Sequence, residues 1–199
     1  MDLWNELISP LVASPWIYVL VFVFVLIDAF FPPIPSELAV VGLAALSAST
    51  GTPEMYLLVA ATILGAVCGD NIAYQLGKWL GQERISQSRF AAVASASQWA
   101  REELNRRPVL IILTAREIPI GRTAVNMTAG ATGFPWRRFA PISAIAGTAW
   151  ASYTILIAVF VGTWLYESPF LAVSVAILLS LVAGLCIERA IKLLSSCGR

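Results

Sequence analysis

Five ionisable side chains, Asp28, Glu37, Asp70, Arg116 and Arg122, lie within or beside apolar runs of this chain. Their types suggest one kind of chemistry. An arginine presents a planar fork that grips phosphate or carboxylate through two hydrogen bonds, and it keeps its charge at any physiological pH. A carboxylate withdrawn from water takes up a proton more readily. Arg116 and Arg122 therefore form a candidate anion site, and Asp28, Glu37 and Asp70 are candidate proton-coupling groups. A charge at the centre of a spanning helix costs roughly 2.5–3.5 kcal/mol on insertion scales, so such residues default to a substrate or proton pathway. The competing reading is structural: three acids and two arginines stapling a polar core. The chain has no histidine, which excludes Ser-His-Asp hydrolysis, HExxH metalloproteases and phosphatases with a histidine nucleophile. No nucleophile–base pair is visible either. We expect a protein that is not an enzyme and that carries no metal or other cofactor.

The elements that position these groups follow from composition. Of 199 residues 58% are hydrophobic and 13% charged, with mean hydropathy +0.78, against roughly a quarter charged in soluble domains. This predicts an all-α polytopic membrane protein. The net charge of +1 argues against a nucleic-acid partner. Transmembrane helices are expected at 11–31, 55–80, 136–164 and 169–190, each near the ~20 residues a crossing needs. The N-terminus lacks a basic leader and a small-x-small cleavage site, and is expected to stay uncleaved. Residues 81–107 are polar and charged, and read as an amphipathic linker on the membrane surface.

Two apolar stretches, 32–50 and 108–132, are interrupted by "PPIP" and "REIPIGR". Proline removes a backbone donor and turns its predecessor away from helix, so Pro32, Pro33, Pro35 and Pro119, with Gly121, mark breaks. Broken backbone at membrane depth survives when buried in protein or lining a wet cavity, which suggests re-entrant hairpins at 32–50 and 108–132. A shift of 82 residues lays Thr50-Gly51-x-Pro53 on Thr132-Gly133-x-Pro135 and Ile63-x-Gly65 on Ile145-x-Gly147. The expected fold is therefore an inverted repeat of hairpin plus transmembrane helix, with flanking helices and the hairpins meeting near the midplane. With the linker cytoplasmic, Lys78, Arg84, Arg89, Arg101, Arg106, Arg107, Arg137, Arg138, Arg189, Lys192 and Arg199 all fall inside, leaving Arg116 and Arg122 within the second hairpin. This positive-inside bias places the N-terminus, linker and C-terminus in the cytoplasm.

Several residues invite plainer readings. Gly65 with Gly69, and Gly77 with Gly81, are small-residue pairs suited to close helix packing. The seven tryptophans read as interfacial anchors, and Cys68 and Cys186 as packed core. Glu117 beside Arg116 either neutralises that arginine or weakens the anion site.

The motifs resemble those of one family. "DAFFPPIPSE" is similar to the E-N-x-F-P-P-x-P-S-E signature of the bacterial DedA family, and "GDNIAYQLGKWLG" to its G-D-x-x-x-Y-x-x-G-x-x-x-G helix. "REIPIGRTAVNMTAGATGFPWRRF" resembles its R-x-x-P-x-x-R-T…A-G…M-P-x-x-x-F segment. Asp28 departs from the usual Glu, and Glu117 from an apolar or aromatic residue. The resemblance implies a multi-pass inner-membrane protein with two opposed re-entrant hairpins, related to lipid scramblases. It implies proton-motive-force-dependent flipping of a lipid phosphate, undecaprenyl phosphate or a phospholipid, in support of envelope integrity. It also carries functional roles onto Asp28, Glu37, Arg116 and Arg122. The partners considered are membrane lipids, protons and further copies of the chain. Alternatives are a small-anion transporter using the same site, or an envelope-assembly scaffold that transports nothing.

Overall fold

The computed structural model describes residues 9–31, 36–86 and 91–164, together with Leu178. The predicted helix at 169–190, apart from that residue, lies outside the described residues, as do Pro32, Pro33 and Pro35. The described chain is all-helical. Its order is α1 (Ser9–Ala13), α2 (Trp16–Asp28), α3 (Ser36–Thr50), α4 (Met55–Ser86), α5 (Ala91–Arg106), α6 (Pro108–Thr114), a 3-10 turn at Ala115–Glu117, α7 (Pro119–Ala131) and α8 (Trp136–Trp164).

Two of these helices, over Met55–Gly81 and Trp136–Phe160, are long and apolar enough to cross a bilayer. In α4 the crossing ends at Gly81, whose φ of 73° and ψ of 160° break the helix. Exposed Tyr56 and Trp79 mark the two ends of this segment. Twenty-three residues of helix separate them, roughly 34 Å at 1.5 Å per residue, which suits aromatic anchors at the two faces of a hydrocarbon layer of about 30 Å. Between them Leu57, Leu64, Ile72 and Leu76 face outward. Cys68 does so as well, contrary to its reading as core: it sits on the apolar outer side of α4.

The helix expected at 11–31 is shorter than predicted. Ser14 and Pro15 interrupt it, and α2 has 13 residues, about 20 Å of helix. Its direction is equally informative. A Cβ on Gly65 would meet the Phe22 carbonyl oxygen, one on Gly69 would meet that of Leu26, and Glu54 N donates to Tyr18 Oη at 2.8 Å. Numbering rises together along both helices, so α2 runs parallel to α4. The start of α2 therefore lies at the opposite end of α4 from the start of the 81–107 segment.

The first hairpin shifts accordingly. Ser36–Thr50 is one unbroken helix, so the chain does not reverse inside it. The arms are α2 and α3, and the reversal lies between Asp28 and Ser36. The second interruption matches prediction more closely. Helix α6 gives way to the 3-10 turn, Ile118 is extended (φ −112°, ψ 111°), and Pro119 opens α7 at a position where its missing N–H costs nothing. Gly121 is not part of that break; it lies within α7, buried.

Helix α3 packs chiefly along α8, while α7 packs chiefly along α4. The α3–α4 and α7–α8 turns correspond in detail. Gly51 and Gly133 have φ of 79° and 73°. Thr50 Oγ1 donates to the Leu46 carbonyl at 2.9 Å, and Thr132 Oγ1 to the Thr128 carbonyl at 2.8 Å, pairs exactly one 82-residue shift apart. Helix α5 is docked on α7, burying Ala100 and Leu104 beside Tyr74, Val125 and Phe139.

The α4–α7 contact is backbone against backbone. A Cβ on Gly77 would come within 1.9 Å of the Met127 carbonyl oxygen, and one on Gly130 within 1.9 Å of that of Tyr74. Gly81 has nothing nearby, so it serves the helix break and not packing. At Gly147 in α8 the nearest atoms would be 3.6 Å away. Replacing Gly130 by Ala is therefore expected to force the helices apart at a cost of about 1–3 kcal/mol, the range for overpacking, whereas Gly147→Ala should be neutral or slightly stabilising. Unfolding midpoints of the purified variants check this; equal midpoints would refute the close contact.

Candidate functional site

The charged residues form a layer at mid-height of the bundle. Along α4, Leu58, Ala61 and Ala66 belong to one apolar cluster with α2, α3 and α8. Tyr74 belongs to another, with α5, α6 and α7. Asp70 falls between the two.

Asp70 is 2% exposed and fully engaged. Its Oδ2 pairs with Nη1 of Arg116 and accepts Ser143 Oγ at 3.0 Å, while Oδ1 accepts Asn126 Nδ2 at 2.9 Å. These donors come from the second apex, from α8 and from α7. The Arg116 guanidinium also lies over the ring of Trp150, 5.2 Å from its centroid, a favourable cation–π arrangement. Trp150 is buried, so this tryptophan is not an interfacial anchor. Gly147 passes beside Arg116 Nη2, leaving the guanidinium room against α8.

The second pair joins the two hairpins. Arg122, in the first turn of α7, holds Asp28 at the end of α2, with Nη2 to Oδ2 at 3.1 Å. Ser36 Oγ, at the first residue of α3, donates to the same Oδ2 at 2.6 Å. Thr123 Oγ1 donates to the Ala29 carbonyl at 3.0 Å, tying the first apex to α7 by a contact without charge. Glu37 follows Ser36 in the first turn of α3 and is half-buried.

The structure thus brings Asp28 to Arg122 and Asp70 to Arg116, and sets Glu37 at the same apex as Asp28. Pro119 opens α7. The side chain of Glu117 lies outside the described residues. Sequence reasoning missed Ser36, Asn126, Ser143 and Trp150. Asn126 alone left a trace, four residues after Arg122 and so on the same face of α7. The geometry offers two buried guanidinium groups, each balanced by a carboxylate from the other half of the chain.

Removing one partner of a buried ion pair typically costs about 3–5 kcal/mol, because the other charge is stranded. Arg116→Gln and Asp70→Asn should each destabilise on that scale. The double variant should cost clearly less than their sum, with a coupling of about 1–3 kcal/mol. A denaturation double-mutant cycle reads this, and strictly additive losses would contradict the pairing.

Comparison with known proteins identifies the family. The model of the VTT domain matches residues 31–163, which include Glu37, Asp70, both arginines and both apices beyond residue 30. An uncharacterized membrane protein of Mycobacterium tuberculosis, Rv2637, is 28% identical over 186 residues, covering 87% of this chain and 84% of its own. A second from that organism, Rv0364, is 28% identical over 148 residues, covering 73% and 65%. The Synechocystis membrane protein slr0232 is 25% identical over 132 residues, covering 65% and 60%. No solved structure gives a significant match. With the family model spanning two thirds of its length, this chain belongs to the VTT-domain, or DedA, family of membrane proteins.

Proposed function

We propose that this protein moves a phosphate-bearing lipid, a polyprenyl phosphate or a phospholipid, between the leaflets of the cytoplasmic membrane at the expense of the proton gradient or membrane potential. The observation that carries the reading is the Arg122–Asp28 pair at the junction of the two hairpins. A guanidinium sits there at mid-depth in a bundle whose outer faces are apolar. A lipid headgroup crossing that depth needs a cationic partner, while its chain can stay in the surrounding lipid.

The architecture we propose is an inverted repeat. One hairpin (α2–α3) enters from the side where α4 begins and the other (α6–α7) from the side where it ends, a plan common among secondary transporters. Three features support it: the exchange of α3 onto α8 and α7 onto α4, the matching turns, and the meeting of the apices near Asp70. The distribution of basic residues favours a cytoplasmic linker, which sets the start of α2 and the 51–54 turn on the outer side.

The two pairs differ in character. Asp70 has a full set of donors, which favours a structural role for it and for the orientation of Arg116. Asp28 and Glu37 remain the groups we assign to proton coupling, and Arg122 the principal headgroup ligand, with Arg116 behind it.

The test is reconstitution into liposomes with a fluorescent lipid phosphate under an imposed pH gradient. Wild-type protein should accelerate movement of the label over protein-free vesicles. The paired variant Asp28→Asn with Arg122→Gln leaves no stranded charge, so it should be made at normal abundance yet lose at least about tenfold in rate, or 1.4 kcal/mol in the barrier. A wild-type protein no faster than empty vesicles, or a paired variant with full activity, would sink the transport reading and leave the scaffold.

A further inference from the structure

We infer that the Asp28 carboxylate is a tethered stand-in for the substrate's anionic group, occupying the place that a phosphate takes when it binds. The inference rests on the reading of this site as one that receives a phosphate group. Two helix starts contribute to it. Ser36 is the first residue of α3, 15 residues long, and Arg122 lies in the first turn of α7, 13 residues long. Helix N-termini leave backbone N–H groups without intrahelical partners and favour negative charge. Both residues are at least nine-tenths buried, and both aim their donors at one oxygen, Asp28 Oδ2.

A single carboxylate does not exhaust these donors. Arg122 Nε is buried without a hydrogen-bond partner, so part of the guanidinium fork remains unused while Asp28 is held through Nη2. A phosphate group, with more oxygens than a carboxylate, has an acceptor to spare for that donor. The contrast with Asp70 sharpens the point. There both carboxylate oxygens are engaged and the side chain is 2% exposed; Asp28 has one engaged oxygen among the described contacts and is 13% exposed. Asp28 is held as a displaceable ligand and Asp70 as a fixed one.

Release of Asp28 need not dismantle the hairpin. The apex stays tied to α7 through Thr123 and Ala29, and α2 stays packed on α4 through Gly65 and Gly69. An incoming phosphate would exchange with Asp28 on Arg122 and Ser36. That competition keeps the empty site neutral and lowers apparent affinity by the fraction of molecules in which the pair is open.

Anion affinity of the detergent-purified full chain tests this, read as the ligand-dependent shift of the unfolding midpoint at constant ionic strength. The probes are inorganic phosphate and dihexanoyl phosphatidic acid, with chloride as the control. Asp28→Asn should bind the phosphate probes about tenfold more tightly than wild type, the factor expected if the pair is closed in about nine molecules in ten. Adding Arg122→Gln should abolish the gain, and Asp28→Glu, which keeps the tethered charge, should stay near wild type. A gain with both probes supports capture of the phosphate group itself; a gain with the lipid probe alone supports capture that also needs the chain. No gain with either probe overturns the inference. So does an equal gain from Glu37→Gln, because local charge alone would then explain it. If Asp28→Asn does not fold, Ser36→Ala removes one donor from Asp28 and should give a smaller gain of the same sign; its absence overturns the inference equally. The vesicle assay separates the two readings. Tighter binding by Asp28→Asn beside a wild-type protein that moves no lipid would sink transport alone, and wild-type transport without the affinity gain would sink the stand-in alone.

Discussion

The rest of the structure is arranged around a layer of charge that cannot be left unbalanced. Asp28, Asp70, Arg116 and Arg122 sit between two apolar clusters, and an unpaired charge in such surroundings costs several kcal/mol. Each must therefore find its opposite, and the opposites lie on distant parts of the chain: 46 residues separate Asp70 from Arg116. Meeting this condition fixes both hairpin apices at the level of Asp70 on α4. The second apex is broken at Pro119 because a helix passing through could not offer its first-turn donors to a partner there. Once they are set, α3 and α7 are each committed to run from the layer toward opposite ends of α4.

Packing then makes the layer rigid on one side. Gly65 and Gly69 admit α2 against α4, and Gly77 and Gly130 admit α7 against α4, in contacts too close for any Cβ. The helices that carry Asp28, Asp70 and Arg122 are thus locked into one body. Helices α3 and α8 pack along each other beside that body. Two hydroxyl groups, Ser36 on Asp28 and Ser143 on Asp70, reach the charged layer from those helices. The two ion pairs differ as a consequence. Asp70 is enclosed from three directions and serves as an anchor, while Asp28 is held at the edge by a guanidinium and a hydroxyl.

Much of this was legible in the chain itself. Composition gave an all-helical membrane protein, since a chain with so few charges must bury or expose its apolar surface to lipid. Proline positions gave the second break to within a residue, because the loss of a donor is a local effect that no tertiary contact reverses. The 82-residue shift located both glycine turns, since a positive φ is a demand that glycine meets wherever it occurs. The motifs gave the family, and the five ionisable groups picked out within apolar runs include the four charges of the layer.

What the sequence could not settle was direction and partnership. A run of apolar residues at 11–31 has one composition whichever way it runs, and only the contact of Phe22 and Leu26 with Gly65 and Gly69 gives the direction of α2 along α4. Ser36, Ser143 and Asn126 are ordinary polar residues until the fold brings them to a carboxylate, and Trp150 looks like any membrane tryptophan until Arg116 lies over its ring. Hydropathy and backbone preference are properties of neighbours along the chain, and they determined the elements. Which acid meets which arginine depends on contacts across 46 to 94 residues, and the tertiary structure alone decided it.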